Sequence, residues 1–264
     1  MQISLIITTF NRPDALLLVL RSVENQSLAP DEVIIADDGS TDSTRRIIDN
    51  FKKKSSLSIV HSFQEDIGFR AAMSRNRAIS KAKGDYIILI DGDMILHKDF
   101  INDHRKNAKP SYFIQGTRVL LTKIKTKEVL KNHNSAVYFF SFGIKNRKNA
   151  LHSNFLASFF SLNFSSLRGL KTCNVSFYKQ DCIGVNGFNN KFEGWGREDS
   201  EFFVRLMNSG IKRNNLHFNA IQFHLWHEVS SRNSLLKNDQ LLKKTINEEL
   251  VWCELGIKQF LKNK

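Results

Sequence analysis

Cysteine is scarce in this chain. Cys173, Cys182 and Cys253 are the only three in 264 residues, odd in number and with no pair at metal-ligand spacing. That argues against a disulfide framework or a cysteine-held zinc, and predicts free thiols in a reducing compartment, by default the cytoplasm. No apolar run approaches the roughly 18 to 20 residues that span a bilayer, so no transmembrane helix is expected. The opening "MQISLIITTF" lacks a basic n-region and a cleavage site and reads as a strand, which predicts no signal peptide. Neither G-x-x-x-x-G-K-[ST] nor G-x-G-x-x-G occurs, which argues against a P-loop NTPase and a glycine-fingerprint dehydrogenase. No internal repeat is present. Acid is short as well: 26 Asp and Glu against 39 Lys and Arg leave a net charge of +13 and a pI of about 9.7. Such a chain is drawn to nucleic acid, anionic membrane surfaces or phosphorylated substrates, and charge alone does not choose among them.

What is present is an ordinary globular composition, 41% hydrophobic and 25% charged, enough for one large domain or a domain with an appendage. The first hundred residues alternate apolar runs with amphipathic ones. "ISLIITT", "EVIIADD", "LSIVHSF" and "DYIILID" read as strands. "PDALLLVLRSVENQ", "STDSTRRIIDNFKKK" and "RAAMSRNRAISKAK" read as helices. Strands apolar throughout, with helices between them, predict an α/β fold whose mainly parallel sheet is covered on both faces. Ligands of such sheets bind outside the carboxyl ends of the strands. Those ends carry "TTFNR", "ADDGS" and "IDGD", three polar clusters gathered along one edge. The second half is less regular. "SYFIQGTRVLL" predicts a strand before a short basic helix, "KTCNVSFYK" a strand, "EDSEFFVRLMNSG" a helix closed by Gly210, "RNNLHFNAIQFHLW" a strand and 235–262 an amphipathic helix. Residues 139–170, rich in Phe, Ser, Asn and cations, match no motif.

Four clusters carry possible chemistry. Asp91 and Asp93 stand at i and i+2 at a strand end, so their side chains are expected on one side. Two carboxylates that close raise each other's pKa unless a cation lies between them; a divalent hard cation is the natural partner, a solvated turn the alternative. In "ADDGST", Asp37 and Asp38 are either acceptors for a base or ribose, or surplus acids of an N-cap turn. Arg70, Arg75 and Arg77 around Asn76 are either a diphosphate clamp or a solvated helix face. "FEGWGREDSEFF" presents Trp195 between two glycines, then Glu198 and Asp199 at a helix start. An indole with carboxylates nearby suits a sugar whose hydroxyl must lose a proton, although acids in a first turn are also favoured by the helix dipole alone. His224 and His227 in "FHLWHE" are metal ligands, phosphate ligands or structural histidines.

Taken in order, "IITTFNR", "ADDGSTD", "IGFRAAMSRNRAI", "IDGD", "GFNNKFEGWGREDSEFFVRL" and "FHLWH" resemble the GT-A-fold, family 2 inverting glycosyltransferases. The carboxy-terminal half is similar to the galactosyltransferase-type subgroup that includes bacterial chondroitin-type polymerase domains. The resemblance spans about residues 2–228. It implies a GT-A (Rossmann-like) sheet in a catalytic domain over 1–234, with 1–98 the nucleotide-sugar half and 99–234 the acceptor half. Residues 235–264 then form a C-terminal helix. It further implies a metal site of Asp91, Asp93 and His227, with His224 the second choice for the third ligand, holding manganese or magnesium. A donor site of Thr8, Phe10, Arg12, Asp38, Arg70, Asn76 and Asp91 follows, with uridine diphosphate the implied carrier. Asp199 is implied as the general base, Glu198 as a holder of the acceptor or base, and Trp195, Gly194 and Asn174 as the acceptor side.

Two other classes remain at this point. A sugar nucleotidyltransferase is disfavoured because "TTFNRPDA" lacks the glycine-rich basic loop such enzymes carry. A nucleic-acid-binding protein is disfavoured because the cations are dispersed and no recognition motif is present. The net charge together with residues 139–170 favours an acceptor attached to lipid and rich in phosphate, such as a lipopolysaccharide or capsule precursor, met at the anionic cytoplasmic face of the inner membrane.

Overall fold

The computed structural model describes residues 1–133, 136–164, 169–228 and 231–261. Along the chain the strands and helices are β1 (Ile3–Thr9), α1 (Pro13–Glu24), β2 (Glu32–Asp37), α2 (Asp42–Lys52), β3 (Ile59–Phe63), α3 (Ala71–Lys81), β4 (Tyr86–Asp91) and β5 (Met94–Leu96). There follow α4 (Phe100–Asn107), β6 (Tyr112–Gln115), β7 (Val119–Leu121), α5 (Lys123–Lys131), β8 (Ile144–Lys145), α6 (Asn154–Phe160) and β9 (Leu162–Phe164). The remainder is β10 (Asn174–Tyr178), α7 (Lys179–Gly184), α8 (Glu198–Asn208), β11 (Lys212–Asn215), β12 (Gln222–His224) and α9 (Leu235–Asn247).

Among the described residues the main sheet has eight strands in the order β3-β2-β1-β4-β10-β6-β11-β9. The first four are parallel to one another, β10 runs antiparallel to both β4 and β6, and β11 is parallel to β6. This is the mixed, mainly parallel α/β sheet that the sequence predicts. Burial on both faces explains why the central strands are apolar through most of their length. Leu5, Ile7, Val33, Ile35, Ile88 and Ile90 face one core with Leu16, Val19, Leu20 and Val23 of α1. Ile6, Ile34, Ile87 and Leu89 face the other with Ala72, Ala78 and Ile79 of α3. Each such Val, Leu or Ile side chain, fully out of water, stabilises the fold by about 1.5–3 kcal/mol before entropy is counted. The parallel register sets Thr8 beside Asp91 and Thr9 beside Asp37, so the three polar strand ends come out at one edge.

Three sequence expectations are corrected. "SYFIQGTRVLL" is two strands: β6 belongs to the main sheet, whereas β7 joins a second, four-stranded sheet ordered β5-β12-β7-β8. "RNNLHFNAIQFHLW" breaks likewise into β11 of the main sheet and β12 of the second. One side chain holds both corners. Asn174 Nδ2 donates to the Thr117 carbonyl and to the Ala220 carbonyl, each at 2.8 Å, and its Oδ1 sits 3.0 Å from His104 Nε2. A Cβ on Gly116 would lie 2.4 Å from that carboxamide, so the first corner requires glycine. The tail, third, is α-helical only over Leu235–Asn247; Glu249 then takes a positive φ of 49° and the chain runs back across α3 with a 3-10 turn over Ile257–Phe260. Asn186 pins this return, its carbonyl accepting from Ile257 N–H at 2.8 Å and its Oδ1 from Lys258 N–H at 2.9 Å. The last three residues of that tail, and residues 165–168 of the unmatched stretch, lie outside the described residues.

Candidate active site

A cavity of about 740 Å³ opens where the carboxyl ends of β1, β2 and β4 meet the N-terminus of α8. Thr8, Phe10, Arg12, Asp38, Asp91, Asp93, Trp195, Glu198, Asp199 and His227 all line it, so the fold gathers acids separated by more than a hundred residues. Gly92 lets β4 approach β1: its N–H donates to the Thr8 carbonyl at 2.7 Å, and an added Cβ would press on that oxygen at 3.0 Å.

The two aspartates do not face one partner. β4 ends at Asp91 and Asp93 lies in the following turn, so strand alternation no longer governs its direction. Asp91 Oδ1 looks toward Arg75 Nη2 at 3.7 Å. Asp93 Oδ2 instead takes Arg12 Nη1 at 2.5 Å, with His224 Nε2 at 3.4 Å and His227 Nε2 at 3.5 Å. Burial pushes Asp91 up to about 6, with Asp93 and Asp199 adding to the rise. Burial acts on Asp93 too, but the hydrogen bond and charge of His224, with Arg12 and His227, outweigh it and hold that carboxyl below its usual range. Ligand atoms of Asp93, His224 and His227 lie within 4.8 Å of one another. Asp93 Oδ1 is buried and has no hydrogen-bond partner. An orphaned carboxylate oxygen beside two imidazoles fits a divalent cation. His224, the second choice from sequence, is thus part of the cluster, and Asp91 stands beside it.

At the other wall, Gly194, Gly196 and Arg197 all take positive φ (72°, 104° and 78°), turning the chain so that Trp195 faces the cavity and α8 begins at Glu198. The residues after β12 hold this loop. Asn238 Nδ2 donates to the Glu193 carbonyl at 3.2 Å and the Gly196 carbonyl at 2.9 Å, and Arg232 lies 5.3 Å over the indole of Trp195. Asp199 Oδ1 accepts from Thr172 Oγ1 at 2.9 Å and Arg75 Nη1 at 3.2 Å, and its Oδ2 accepts from Thr172 N–H at 3.0 Å. Glu198 Oε1 meets the same Arg75 Nη1 at 3.2 Å. Burial, and then the neighbouring charge of Asp199, push Glu198 up to about 8.

Arg75 therefore ties the two walls together. It is buried, touches Asp91, Glu198 and Asp199, and lies 5.5 Å over the Phe188 ring. The three acids raise its pKa against the pull of burial. From sequence it was one of three arginines in a basic helix; nothing local marked it as the bridge. Thr172, which orients Asp199, carried no signal at all.

Other expected site residues serve the frame. Asp38 lines the cavity, but its oxygens accept from Gln64 Nε2 at 2.5 Å and Arg70 N–H at 2.8 Å; burial pushes its carboxyl up despite them. The Arg70 guanidinium turns away to the Glu65 carbonyl at 2.6 Å. Asp37 is held by His61 and Ser40. Asn76 lies outside the cavity wall, where it binds Phe188 through both its carboxamide atoms, and Asn174 is the corner residue described above. Gly194 contributes backbone geometry, its N–H donating to the Phe69 carbonyl at 2.9 Å.

A profile of "Glycosyl transferase family 2" matches residues 4–170, and one of "N-terminal domain of galactosyltransferase" matches residues 150–228. The chain belongs to glycosyl transferase family 2. The family 2 core carries a galactosyltransferase-type region in its C-terminal half, as the ordered motifs imply. The chain is 26% identical over 282 residues to validoxylamine A glucosyltransferase of Streptomyces hygroscopicus subsp. limoneus, covering 95% of this chain and 59% of that protein. It is 29% identical over 231 residues to hyaluronan synthase of Pasteurella multocida, covering 79% of this chain and 23% of that one. It thus corresponds to part of the length of these relatives. The structure of S. aureus TarS 1–349 in complex with UDP superposes with a TM-score of 0.59 at 18% identity, over 99% of this chain and 70% of that one. The glycosyltransferase fold is the GT-A arrangement expected.

Proposed function

We propose that this family 2 chain is a metal-dependent inverting glycosyltransferase, moving a sugar from a UDP-sugar to a hydroxyl of a surface-polysaccharide precursor. The observation that carries the reading is the confrontation, in one cavity, of the Asp91–Asp93 strand end with the Glu198–Asp199 helix start. Residues 1–98 act as the nucleotide-sugar half and 99–234 as the acceptor half. Asp93, His224 and His227, with Asp91 adjacent, would hold Mn²⁺ or Mg²⁺, which supplies positive charge to the departing diphosphate. Asp199 is the proton acceptor. Glu198, with its carboxyl raised to about 8, is held as the neutral acid at pH 7 and donates a hydrogen bond where Asp199 accepts one. The acceptor oxygen bonds to the anomeric carbon from the Asp199 side and its proton passes to that carboxylate. The carbon–oxygen bond to the diphosphate breaks with its electron pair on the leaving group. Attack opposite to departure inverts the centre. Trp195 offers the acceptor ring an apolar face.

The test is a panel of nucleotide sugars with Mn²⁺, with and without chelator, reading released nucleoside diphosphate, alongside calorimetry of UDP binding. Chelator-sensitive release from one donor, lost in Asp93→Ala, is the expected result. Absence of both release and metal-dependent UDP binding would overturn the reading.

The acceptor side bears on where the enzyme works. Phe140 and Phe142 are 85% and 89% exposed, Phe155, Phe159 and Phe160 are also exposed, and residues 139–170 contain no acid. No helix among the described residues is long and apolar enough to cross a membrane. Exposed rings among cations suit peripheral contact with an anionic bilayer that carries a lipid-linked acceptor, at the cytoplasmic face of the inner membrane. Phe140→Ser with Phe142→Ser is expected to weaken co-sedimentation with phosphatidylglycerol vesicles by about tenfold. Equal pelleting of the wild type and the double variant would remove the membrane from the proposal.

A further inference from the structure

Behind the acceptor wall lies a second cavity of about 300 Å³ that shares Arg118, Lys171 and Cys173 with the first. Its charge is one-sided. Arg118, Lys171 and Arg213 line it beside the imidazole of His217, and none of the described residues lining it is an aspartate or glutamate. The remaining polar wall is carboxamides with Thr117 and Cys173, and Asn149 is held to the Arg118 carbonyl at 3.0 Å. The first cavity, by contrast, contains five acids.

The shared cations lack the partners that cations at a wall usually find. Among the described residues neither Arg118 nor Lys171 has a carboxylate within 4.0 Å. The guanidinium of Arg118 reaches only Cys173 Sγ at 3.8 Å, and Lys171 engages Gln115 through its backbone N–H. Burial and the neighbouring Arg118 hold the Lys171 ammonium below its usual range, and burial does the same to Arg213 and, with Lys148, to His217. Arg118 and Lys171 repel each other, the charge of Asp199 only partly offsets this at Lys171, and a bound anion relieves the repulsion. The pocket is also placed for a substrate. Lys171 precedes Thr172, whose N–H and hydroxyl fix Asp199, so its Cα is about 3.8 Å from that of the residue orienting the proton acceptor.

We propose that the second cavity is an anion subsite for the acceptor, in which Arg118 and Lys171 receive a phosphate or carboxylate next to the sugar unit whose hydroxyl is presented to Asp199. The proposal rests on the transferase reading and adds that the acceptor is acidic at this position. Two acceptor sources share the chemistry, a phosphodiester-linked unit and a uronic acid. A planar guanidinium forks onto either, while the lysine is a point charge beside it.

The experiment titrates three probes into the protein held with saturating UDP and Mn²⁺, so that the donor subsite is filled: glycerol 1-phosphate, methyl glucuronide and methyl glucoside. Binding is read by calorimetry for the wild type, Arg118→Gln, Lys171→Gln and the double variant, each checked for an unchanged UDP affinity and melting temperature. One acidic probe binding wild type at least tenfold more tightly than the double variant, with the neutral glucoside indifferent to the substitutions, is the expected result. Preference for the phosphate or for the uronate names the source. Binding of neither acid, or binding equal in wild type and double variant, overturns the subsite. Arg118→Lys separates packing from charge: it folds as the wild type does and retains part of the affinity if the charge matters. Failure of UDP itself to bind would instead strike the transferase reading, and the anion titration is then repeated without nucleotide and judged by the same difference.

Discussion

Asp199→Asn is expected to reduce sugar transfer by about 10²- to 10⁴-fold while leaving UDP affinity within about twofold of the wild type. The substitution removes the proposed proton acceptor but leaves untouched the opposite cavity wall of Thr8, Arg12, Asp91 and Asp93. The substitution also has a structural cost. Thr172 N–H, Thr172 hydroxyl and Arg75 all point donors at this carboxylate, and an asparagine turns its own donors toward one of them. A loss of about 1–3 kcal/mol of stability accompanies that mismatch. Thermal melting and calorimetric UDP binding, measured beside the turnover assay, separate the effects. An Asp199→Asn protein that stays folded and retains more than a few per cent of wild-type transfer would show that another group takes the proton. Glu198 is the nearest alternative, and its activity would then rise with pH through about 8 as the carboxyl ionises.

Arg75→Met is expected to cost about 3–5 kcal/mol at pH 8, because it leaves Asp91, Glu198 and Asp199 together without their common cation. The cost depends on pH, and its sign follows from the direction of the shifts. Asp91 and Glu198 both have folded values raised above their ordinary ones, to about 6 and about 8. The folded state therefore binds more protons than the unfolded one between the ordinary carboxylate range and those values. Their contribution to stability is complete below the ordinary values and is lost as pH rises through 6 and then 8. Removing Arg75, which lowers both, steepens this loss. The variant is thus expected to melt close to wild type at pH 5 and far below it at pH 8.5, by roughly 10 °C. A difference in melting temperature that stays constant from pH 5 to 8.5 would mean that Arg75 acts through packing on Phe188 and not as the counter-ion of the acids.

The raised Glu198 carboxyl and the bridging Arg75 share one physical origin. Three carboxylates converge on a single guanidinium in a water-poor wall, so their charges cannot all be compensated at once. That convergence has no trace in local sequence, since Asp91, Arg75 and the Glu198–Asp199 pair lie on three different elements.

The architecture of the first hundred residues, and the edge at which the candidate site opens, are legible in the sequence alone. Strands buried on both faces are apolar through most of their length, as β1, β2 and β4 are, so their polar carboxyl ends stand out: Thr8–Arg12, Asp37–Gly39 and Asp91–Asp93. The Glu198–Asp199 helix start was equally legible, because Gly194, Gly196 and the first-turn acids mark it locally. The second half was legible only in part. Two runs that read as single strands are each bent between two sheets, because Asn174, distant in sequence, binds the carbonyl at both bends. A corner fixed by a remote side chain leaves no periodicity to detect. The tail helix stopped early for a similar reason, its return path being set by hydrogen bonds to Asn186 and not by its own amphipathic pattern.

Within the site, sequence named the residue types and tertiary structure decided their partners. Placing Asp91 and Asp93 on one side assumed that the strand continued. It ends at Asp91, so one aspartate turns to Arg75 and the other to Arg12, His224 and His227. Asn76 carries the polarity of a binding residue, yet its position in the packed frame spends it on Phe188. The acid-free cavity behind Lys171 is legible only in three dimensions, because it draws its charges from residues near 118, 171 and 213 that share no motif. Side-chain periodicity reports which face an element buries. Which charges meet is settled by long-range packing.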